Sequence, residues 1–261
     1  MIVKLNKKHK EELLQLVTKE KELNLFIIGD IENYGFSKEF LEFWGDFNVS
    51  GKIIAVLMRY YEDFVVYGAE EINVAGFSEI INSINFRMLS GEKSMVDKFS
   101  NFVKVEEKQD THFAKLNENY NLYNGESIKL VTKTELEDVN KVWELQNKKI
   151  AEFTDLSPVE RMKGRYLDKT ARGYHIKNDK NNIVSSVETG GENSSSAMVL
   201  GVCTDPNYRG HGYAAAVTSK LCKKLLSEGK TACLFYYNPE AGKMYKRIGF
   251  KDIGMWSMWS R

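Results

Sequence analysis

The chain has 261 residues, 43% of them hydrophobic and 28% charged, enough apolar material for a packed core and too much for a disordered chain. Lysine and arginine total 37 against 36 acidic residues, a formal net charge of +1. Nucleic-acid binding ordinarily calls for a basic excess, so no nucleic-acid partner is expected.

Met1 to Leu5 alternates weakly and reads as a first strand. Lys7 to Lys21 sets Leu13, Leu14, Leu16 and Val17 among charges, the pattern of an amphipathic helix. Phe40 to Phe47 and Lys52 to Tyr61 read as strands joined by the turn signal NVSG. Asp63 to Tyr67 is a third strand, Phe77 to Ile84 a short helix, Arg87 to Ser90 a strand and Glu92 to Phe102 a helix. Asn117 to Glu126, NENYNLYNGE, is polar and turn-rich without an apolar period. A domain boundary is expected there, dividing residues 1–120 from 121–261.

The pattern then restarts. Ser127 to Thr132 reads as a strand, and Thr134 to Phe153 as a helix with Leu136, Val139, Val142, Trp143, Leu145 and Ile150 near one side. Ser157 opens another helix, with Pro158 in the first turn and Glu160 at capping-box spacing. Gly173 to Lys177 and Ile183 to Glu188 form a hairpin across NDKNN, and Ser196 to Thr204 is a longer apolar strand. His211 to Leu226 is a helix stopped by Gly229. Thr231 to Tyr237 is a strand, Glu240 to Arg247 a short helix and Lys251 to Ser260 a final strand. The two halves share an opening order of elements, so an internal duplication is expected.

The closing MWSMWSR puts Trp256 and Met258 on one strand face and Met255 and Trp259 on the other. Two apolar faces call for burial, against the sheet on one side and a domain, a subunit or an acceptor on the other. A homodimer is therefore left open. No apolar run approaches the roughly 20 residues of a membrane span. The opening MIVKLNKKHKEELLQL carries charges where a secretory leader has its apolar core. No membrane partner is expected. Cys203, Cys222 and Cys233 form neither a Cys-x-x-Cys pair nor a zinc set, so no metal is expected and a cytoplasmic location fits.

The informative stretch is TDPNYRGHGYAAA, from Thr204 to Ala216, where a strand hands over to a helix. Unpaired N–H groups and the dipole at a helix start attract an anion, and glycines allow close approach of a phosphate. Arg209 either pairs with that phosphate or holds the loop. A P-loop needs Gly-Lys-Ser/Thr, which is absent, and a dinucleotide fingerprint belongs early in a βαβ sheet rather than after an antiparallel meander. Coenzyme A is the leading candidate.

Arg209-x-x-Gly212-x-Ala214 resembles the Gln/Arg-x-x-Gly-x-Gly/Ala signature of the GNAT N-acetyltransferase superfamily. The lead-in Val202-Cys203-Thr204-Asp205-Pro206-x-Tyr208, the segment Asn238-Pro239-Glu240-Ala241 and the run Tyr245-Lys246-Arg247-Ile248-Gly249-Phe250 are similar to the family's as well. The match spans Ser127 to Arg261. The resemblance implies an α/β (α+β) fold of tandem GNAT-like domains. Each is a mostly antiparallel twisted sheet flanked by helices, and a splayed strand pair holds CoA in the C-terminal one. The family's closest look-alikes are two-domain members with a degenerate N-terminal half.

The resemblance further implies an acetyl-CoA-dependent N-acetyltransferase acting on a primary amine of a small molecule or peptide. Val202, Cys203 and Thr204 would offer backbone groups to the pantetheine arm. Gly201 suggests a bulge that parts this strand from the next. Gly210, His211, Gly212, Tyr213, Ala214 and Ala215 would hold the pyrophosphate, and Phe153 to Arg165 would be the variable acceptor-side helices. Asn238 would contact the coenzyme arm or merely make a turn. Tyr245 would protonate the departing thiolate, or else is a core tyrosine. Cys203 and Cys233 read as core residues by side chain, and His211 as a solvent-facing residue.

A general base is harder to read. Glu188 and Glu192 are candidates, as is a water chain. The absence of an obvious base keeps a second class in view, a non-catalytic acyl-CoA-binding or regulatory module. The N-terminal half reads GAEEINVAGF where a phosphate loop would belong, with Glu70 and Glu71 opposing an anion. No CoA is expected there; that half covers the sheet or shapes the acceptor cleft.

Overall fold

The computed structural model describes residues 1–69, 71–119, 121–149 and 158–261. The readings that place Glu70 near a phosphate, carry a helix through Ile150 to Phe153 and start another at Ser157 lie outside the described residues. Two compact units make up the chain. One comprises Met1–Ala114, Phe235–Tyr237 and Asp252–Arg261; the other comprises Lys115–Leu234 and Asn238–Lys251.

The first unit runs β1 (Ile2–Lys4), α1 (Lys10–Val17), α2 (Leu25–Asn33), β2 (Leu41–Phe47), β3 (Ile53–Tyr60), β4 (Asp63–Gly68), α3 (Val74–Ser83), β5 (Met88–Glu92), α4 (Lys93–Val96) and β6 (Glu107–Leu116). The second runs β7 (Thr132–Lys133), α5 (Val139–Lys149), α6 (Val159–Leu167), β8 (Gly173–Lys177), β9 (Ile183–Gly190), β10 (Ser196–Thr204), α7 (Tyr213–Ser227), β11 (Thr231–Tyr236) and α8 (Pro239–Arg247). The last strand, β12 (Lys251–Ser260), pairs antiparallel with β5 and so completes the first unit.

Both units repeat one topology. In the first, β1 to β4 pair as antiparallel neighbours in chain order and β4 runs parallel to β5. In the second, β7 to β10 are antiparallel neighbours and β10 runs parallel to β11. The parallel pair follows from connectivity, because α3 and α7 are crossover helices and a crossover returns the chain in the same direction. The expected duplication is thus present in the order and pairing of elements.

Burial follows the apolar periods. Leu13, Leu16 and Val17 are the buried residues of α1. In α7, Ala216, Val217, Leu221, Cys222 and Leu225 are fully buried, each leucine or valine contributing about 1.5–3 kcal/mol. Val139, Val142 and Leu145 of α5 pack with Met162 of α6 and with Ile183 and Cys203 of the sheet. Trp259 enters the core of the first unit beside Phe64, Phe77, Leu89 and Phe99. Trp256 stacks on Phe235 at 5.1 Å and meets Phe113 at 5.9 Å. Both faces of MWSMWSR are therefore covered within that unit.

Some local readings need correcting. Ser127 to Thr132 is not a strand: Glu126–Leu130 is a 3-10 turn and β7 is two residues long. The cause is a side-chain tie, because Ser127 Oγ donates to the His211 carbonyl at 2.7 Å and bends the chain. Leu136 is exposed, in a 3-10 turn ahead of α5. The helix read over Glu92 to Phe102 is short, since Glu92 caps a single turn that passes into 3-10 geometry at Asp97. The sequence reading also left α2 and β6 unassigned.

An ion-pair lattice holds one edge of the second unit. Arg172 Nη2 meets Glu192 Oε1 at 2.7 Å, and Arg172 Nη1 donates to Glu228 Oε1 at 2.8 Å. Lys230 Nζ meets Glu192 Oε1 at 2.7 Å. The Arg172 guanidinium, aided by Lys224, holds the Glu228 carboxyl down at about 2. A depressed carboxylate stabilises the fold above its unfolded pKa, and that contribution disappears as pH falls through the folded one. Arg172→Met should cost about 1–3 kcal/mol at pH 7. The difference from the parent should shrink between pH 4.5 and about 2 as Glu228 takes up its proton. Urea unfolding across that range measures it; a penalty that does not vary with pH would remove the linkage.

Candidate functional site

The site begins with a flaw in β10. Leu200 faces Glu188 on β9, but the next recorded partner pair is Cys203 with Ser186, so β10 carries one residue too many. The surplus falls at Gly201, with φ at +58°. Only glycine takes that conformation at little cost, and a bulge bends the strand. The bend shows at once on the other side of β10. Its parallel pairing with β11 covers Ser196–Thr231, Ala197–Ala232 and Met198–Cys233. Beyond Met198 the strand runs on to Thr204 without that partner, and a gap opens.

The loop after β10 faces the gap. Gly210 and Gly212 both have positive φ, +84° and +76°. Gly212 is the residue before α7, and no side chain caps the helix. Its ladder starts with Ala216 N to Gly212 O at 2.9 Å. The N–H groups of Tyr213, Ala214 and Ala215 therefore have no partner within the helix. Arg209 Nε donates to the Thr204 carbonyl at 3.3 Å, so this side chain does hold the loop. His211 Nδ1 lies 2.9 Å from the Arg209 carbonyl, which places its proton on Nδ1.

Across the gap, Asn238 caps α8, its Oδ1 accepting from Glu240 N at 2.9 Å and Ala241 N at 3.4 Å. Tyr245, buried on α8, has its ring edge-on to Phe250 at 5.8 Å. Together these elements enclose a cleft of about 830 Å³. Val202, Cys203, Thr204, Arg209, Gly210, His211, Gly212, Tyr213, Ala214, Ala215, Asn238 and Tyr245 all line it. A diphosphate fits the helix start, where unpaired donors converge and a Cβ at Gly210 would meet nothing within 4 Å.

Glu188 is not in the lining. It is buried at 4% exposure behind the bulge, 3.5 Å from Arg165 Nη2, and burial pushes its carboxyl upward against the pull of that arginine. Glu192 is committed to the Arg172 and Lys230 lattice. Among the described residues that line the cleft, the one carboxylate is Glu240, exposed and paired with Lys243 at 2.6 Å.

The sequence reading missed Tyr123. Its segment looked like a linker, yet Tyr123 lines the cleft, its backbone N–H donates to Ser219 Oγ at 2.9 Å, and its hydroxyl packs under Gly212. A Cβ at Gly212 would come within 2.9 Å of that oxygen. No local pattern signals such a contact, because Tyr123 and Gly212 meet only after folding.

The corresponding place in the first unit holds a smaller cavity, about 440 Å³, whose lining includes Glu20, Glu71 and Glu92. β4 and β5 remain paired up to Val66 and Gly91, near the end of each strand. Asn73 caps α3 by accepting from Gly76 N at 3.0 Å, and the Asn73 N–H is itself taken by Asp46 Oδ2 at 2.8 Å. Ile72, buried at 7% exposure, packs against Gly68.

The bulge can be tested directly. Gly201→Ala puts a Cβ within 2.2 Å of Gln146 Nε2 and forces a side chain into left-handed geometry. We expect a loss of about 2 kcal/mol. Chemical denaturation that finds no loss would mean the bulge is not held at this residue.

Among the described residues no helix is long and apolar enough to cross a membrane, and no group of three or more His, Cys, Asp or Glu is placed to hold a metal. The fold is shared with solved structures. A Drosophila protein matches with a TM-score of 0.73 at 11% identity, covering 100% of this chain and 98% of its own. A GCN5-related N-acetyltransferase from Sphaerobacter thermophilus matches at 0.66 and 13%, covering 100% and 95%. A tandem GNAT protein from the clavulanic acid biosynthesis pathway matches at 0.63 and 12%, covering 100% and 98%. No curated protein matches the chain. The family model described as GNAT acetyltransferase matches residues 25–259, nearly the whole length, and the chain belongs to that family.

Proposed function

We propose that the chain is an N-acetyltransferase that moves an acetyl group from acetyl-CoA to a primary amine, with one coenzyme site, in the second unit. The observation that carries this is the parting of β10 from β11 beside an uncapped, glycine-started α7. Bound there, acetyl-CoA supplies an activated thioester. The first N–H groups of α7 hold its diphosphate, and the backbone of Val202 to Thr204 lines up the arm. A backbone N–H of that strand polarises the acetyl carbonyl. The acceptor nitrogen bonds to the acetyl carbon while the carbon–sulfur bond breaks with its electron pair on sulfur. The proton leaves nitrogen for Glu188, which stands behind the cleft wall, or for a water chain, and Tyr245 supplies the proton to sulfur.

In the first unit the cavity beyond β4 and β5 is smaller, its lining includes Glu20, Glu71 and Glu92, and Asn73 caps the start of α3, which supports a single site. On this reading residues 1–120 bind no coenzyme. Buried thiols at Cys203, Cys222 and Cys233 suit a cytoplasmic setting.

One observation favours the second class. The lining's single carboxylate is solvated and paired away, as it would be in a binding module without catalysis. Release of free thiol from acetyl-CoA across a panel of amines separates the two: acceptor-dependent release marks an enzyme, and tight binding without release marks the module.

A side chain at Gly212 would strain the loop as well as block it, so a charge at Ala214 isolates the electrostatic effect. A carboxylate in the first turn favours the helix dipole but opposes a diphosphate. We expect calorimetry to find one CoA per intact chain and Ala214→Asp to weaken it roughly 10–100-fold with no loss of Tm. Undiminished affinity, or a second equivalent that survives the change, would remove the single-site reading.

Tyr245→Phe keeps the ring and its packing on Phe250. It should lower kcat by roughly 10²–10⁴-fold with little change in the KM for acetyl-CoA. Parental turnover would return Tyr245 to a packing role.

A further inference from the structure

Among the described residues, Gln146 Nε2, Arg165 Nε, the Tyr166 hydroxyl and Glu188 Oε2 are buried polar atoms without a hydrogen-bond partner. They come from α5, α6 and β9, and they gather about the bulge of β10. Gln146 crowds Gly201, where a Cβ would lie 2.2 Å from its Nε2. Glu188 stands opposite Leu200, the residue before the bulge. Arg165 reaches Glu188 through one long contact, Nη2 to Oε1 at 3.5 Å. Gln146 is 2% exposed and Glu188 4%.

This is an unfinished set of bonds. An arginine–carboxylate pair at its best makes two parallel bonds of about 2.8 Å. Here a single stretched contact leaves a guanidinium N–H and a carboxylate oxygen unused, and each unmet buried group bears its full desolvation cost. The sheet keeps clear of the cluster at three glycines. A Cβ at Gly173 would lie 2.4 Å from the Tyr166 hydroxyl, one at Gly190 would lie 3.4 Å from Arg165 Nη1, and the third position is Gly201.

The unmet atoms are two N–H donors, one carboxylate oxygen and the Tyr166 hydroxyl, which serves as donor or acceptor. Their complement is a molecule that offers carboxylate oxygens to the donors and an amine to the acceptor. A simple amine leaves both donors unmet, a polyamine sets a cation beside Arg165, and an acid without an amine leaves Glu188 unmet. The cluster backs onto the wall of the cleft, since Cys203 lines the cleft and its Sγ lies 3.2 Å from Ser186 Oγ, two residues from Glu188 on β9. We propose that Gln146, Arg165 and Glu188 form the acceptor site, and that the acceptor is an amino acid bearing both its amine and a free carboxylate. The proposal rests on the transferase reading for its chemistry. Arg165 and Gln146 hold the carboxylate, and the amine is left against Glu188, which takes its proton as the new amide bond forms.

The probes are the common L-amino acids and their C-terminal amides, each titrated into the intact chain and followed by saturation-transfer NMR and calorimetry. At least one free acid should bind about 10-fold or more tightly than its amide, the worth of one charge-assisted bond. Gln146→Met, close in volume, should erase about 10-fold of that preference while raising Tm by roughly 2 °C, because it removes an unmet donor. Arg165→Lys should weaken the preference further, keeping the charge but losing the fork. Equal binding of acid and amide, no binding of any acid, or a preference untouched by Gln146→Met would each overturn the proposal. Acetyl-CoA titrated into the same samples reads the transferase separately. Coenzyme binding with acetylation of amines regardless of a carboxylate overturns this proposal and leaves the transferase. A carboxylate preference in a chain that binds no acetyl-CoA supports the site and removes the transferase.

Discussion

Between Leu200 and Cys203, β10 takes three steps while β9 takes two, from Glu188 to Ser186, and the extra residue must leave the plane of the sheet. That misfit costs ladder bonds and demands a left-handed backbone at Gly201. In return the strand bends away from β11 just past Met198, and the edge of β10 becomes available along one side of a cleft. The orientation of α7 depends on the same bend, because the loop from Thr204 to Gly212 starts from the displaced end of the strand. The buried side chains of Gln146 and Glu188 collect on its other side. Cleft, helix start and polar cluster are thus consequences of one register error, held in place by the packing of Cys203 and Ile183 against α5 and α6.

The first unit works as a control built into the same chain. It has the same element order and the same single parallel pair, yet β4 and β5 stay zipped. A side chain at Gly91 would strike the Val66 carbonyl at 2.8 Å, a measure of how closely those strands approach. The cavity beyond those strands is about 440 Å³ against about 830 Å³ in the second unit, and Asn73 satisfies a donor at the start of α3 in the ordinary way. A capped helix is the default for stability, whereas the uncapped start of α7 leaves donors unmet in the protein alone. Duplication supplied two frames, and the difference between them lies in strand spacing and caps rather than in topology.

What could be read from the residues was what is local. β8, β10 and β12 fall on their expected bounds because a two-residue alternation or an apolar run flanked by turns is visible without the fold. The cleft lining was legible because the Arg209 to Ala214 spacing and the Asn238 and Tyr245 segments each encode a backbone need. The failures are nonlocal. β6 hides because its first half is polar and only Thr111, Phe113, Ala114 and Leu116 are buried. α2, LFIIGDIEN, opens on four consecutive apolar residues, which masks its helical face. The pairing of β12 with β5 and the seat of Tyr123 under Gly212 involve partners far apart in the chain. Ser127 was misread as strand because its bond to the His211 carbonyl is invisible until the loop is placed.

The search for a base along β10 fails for a related reason. The strand that bends cannot also present a carboxylate into the gap, since its side chains there are Val202 and Cys203 and its backbone is what meets the cleft. On the proposed reading, the carboxylate that serves the reaction comes from β9. Glu188 stands there, and burial raises its pKa while Arg165 holds it back. An ordinary solvated carboxylate is too weak a base to take a proton from an amine nitrogen with much driving force, so burial shifts Glu188 in the useful direction. Burial alone would also keep it protonated. The 3.5 Å contact to Arg165 works against that upward shift without cancelling it. On the proposed reading the acceptor's own charges finish the tuning, its carboxylate drawing on Arg165 as its amine meets Glu188. On the same reading, this lone glutamate on a strand that also carries Ile183, Val184 and Val187 owes its role to a glycine on the neighbouring strand.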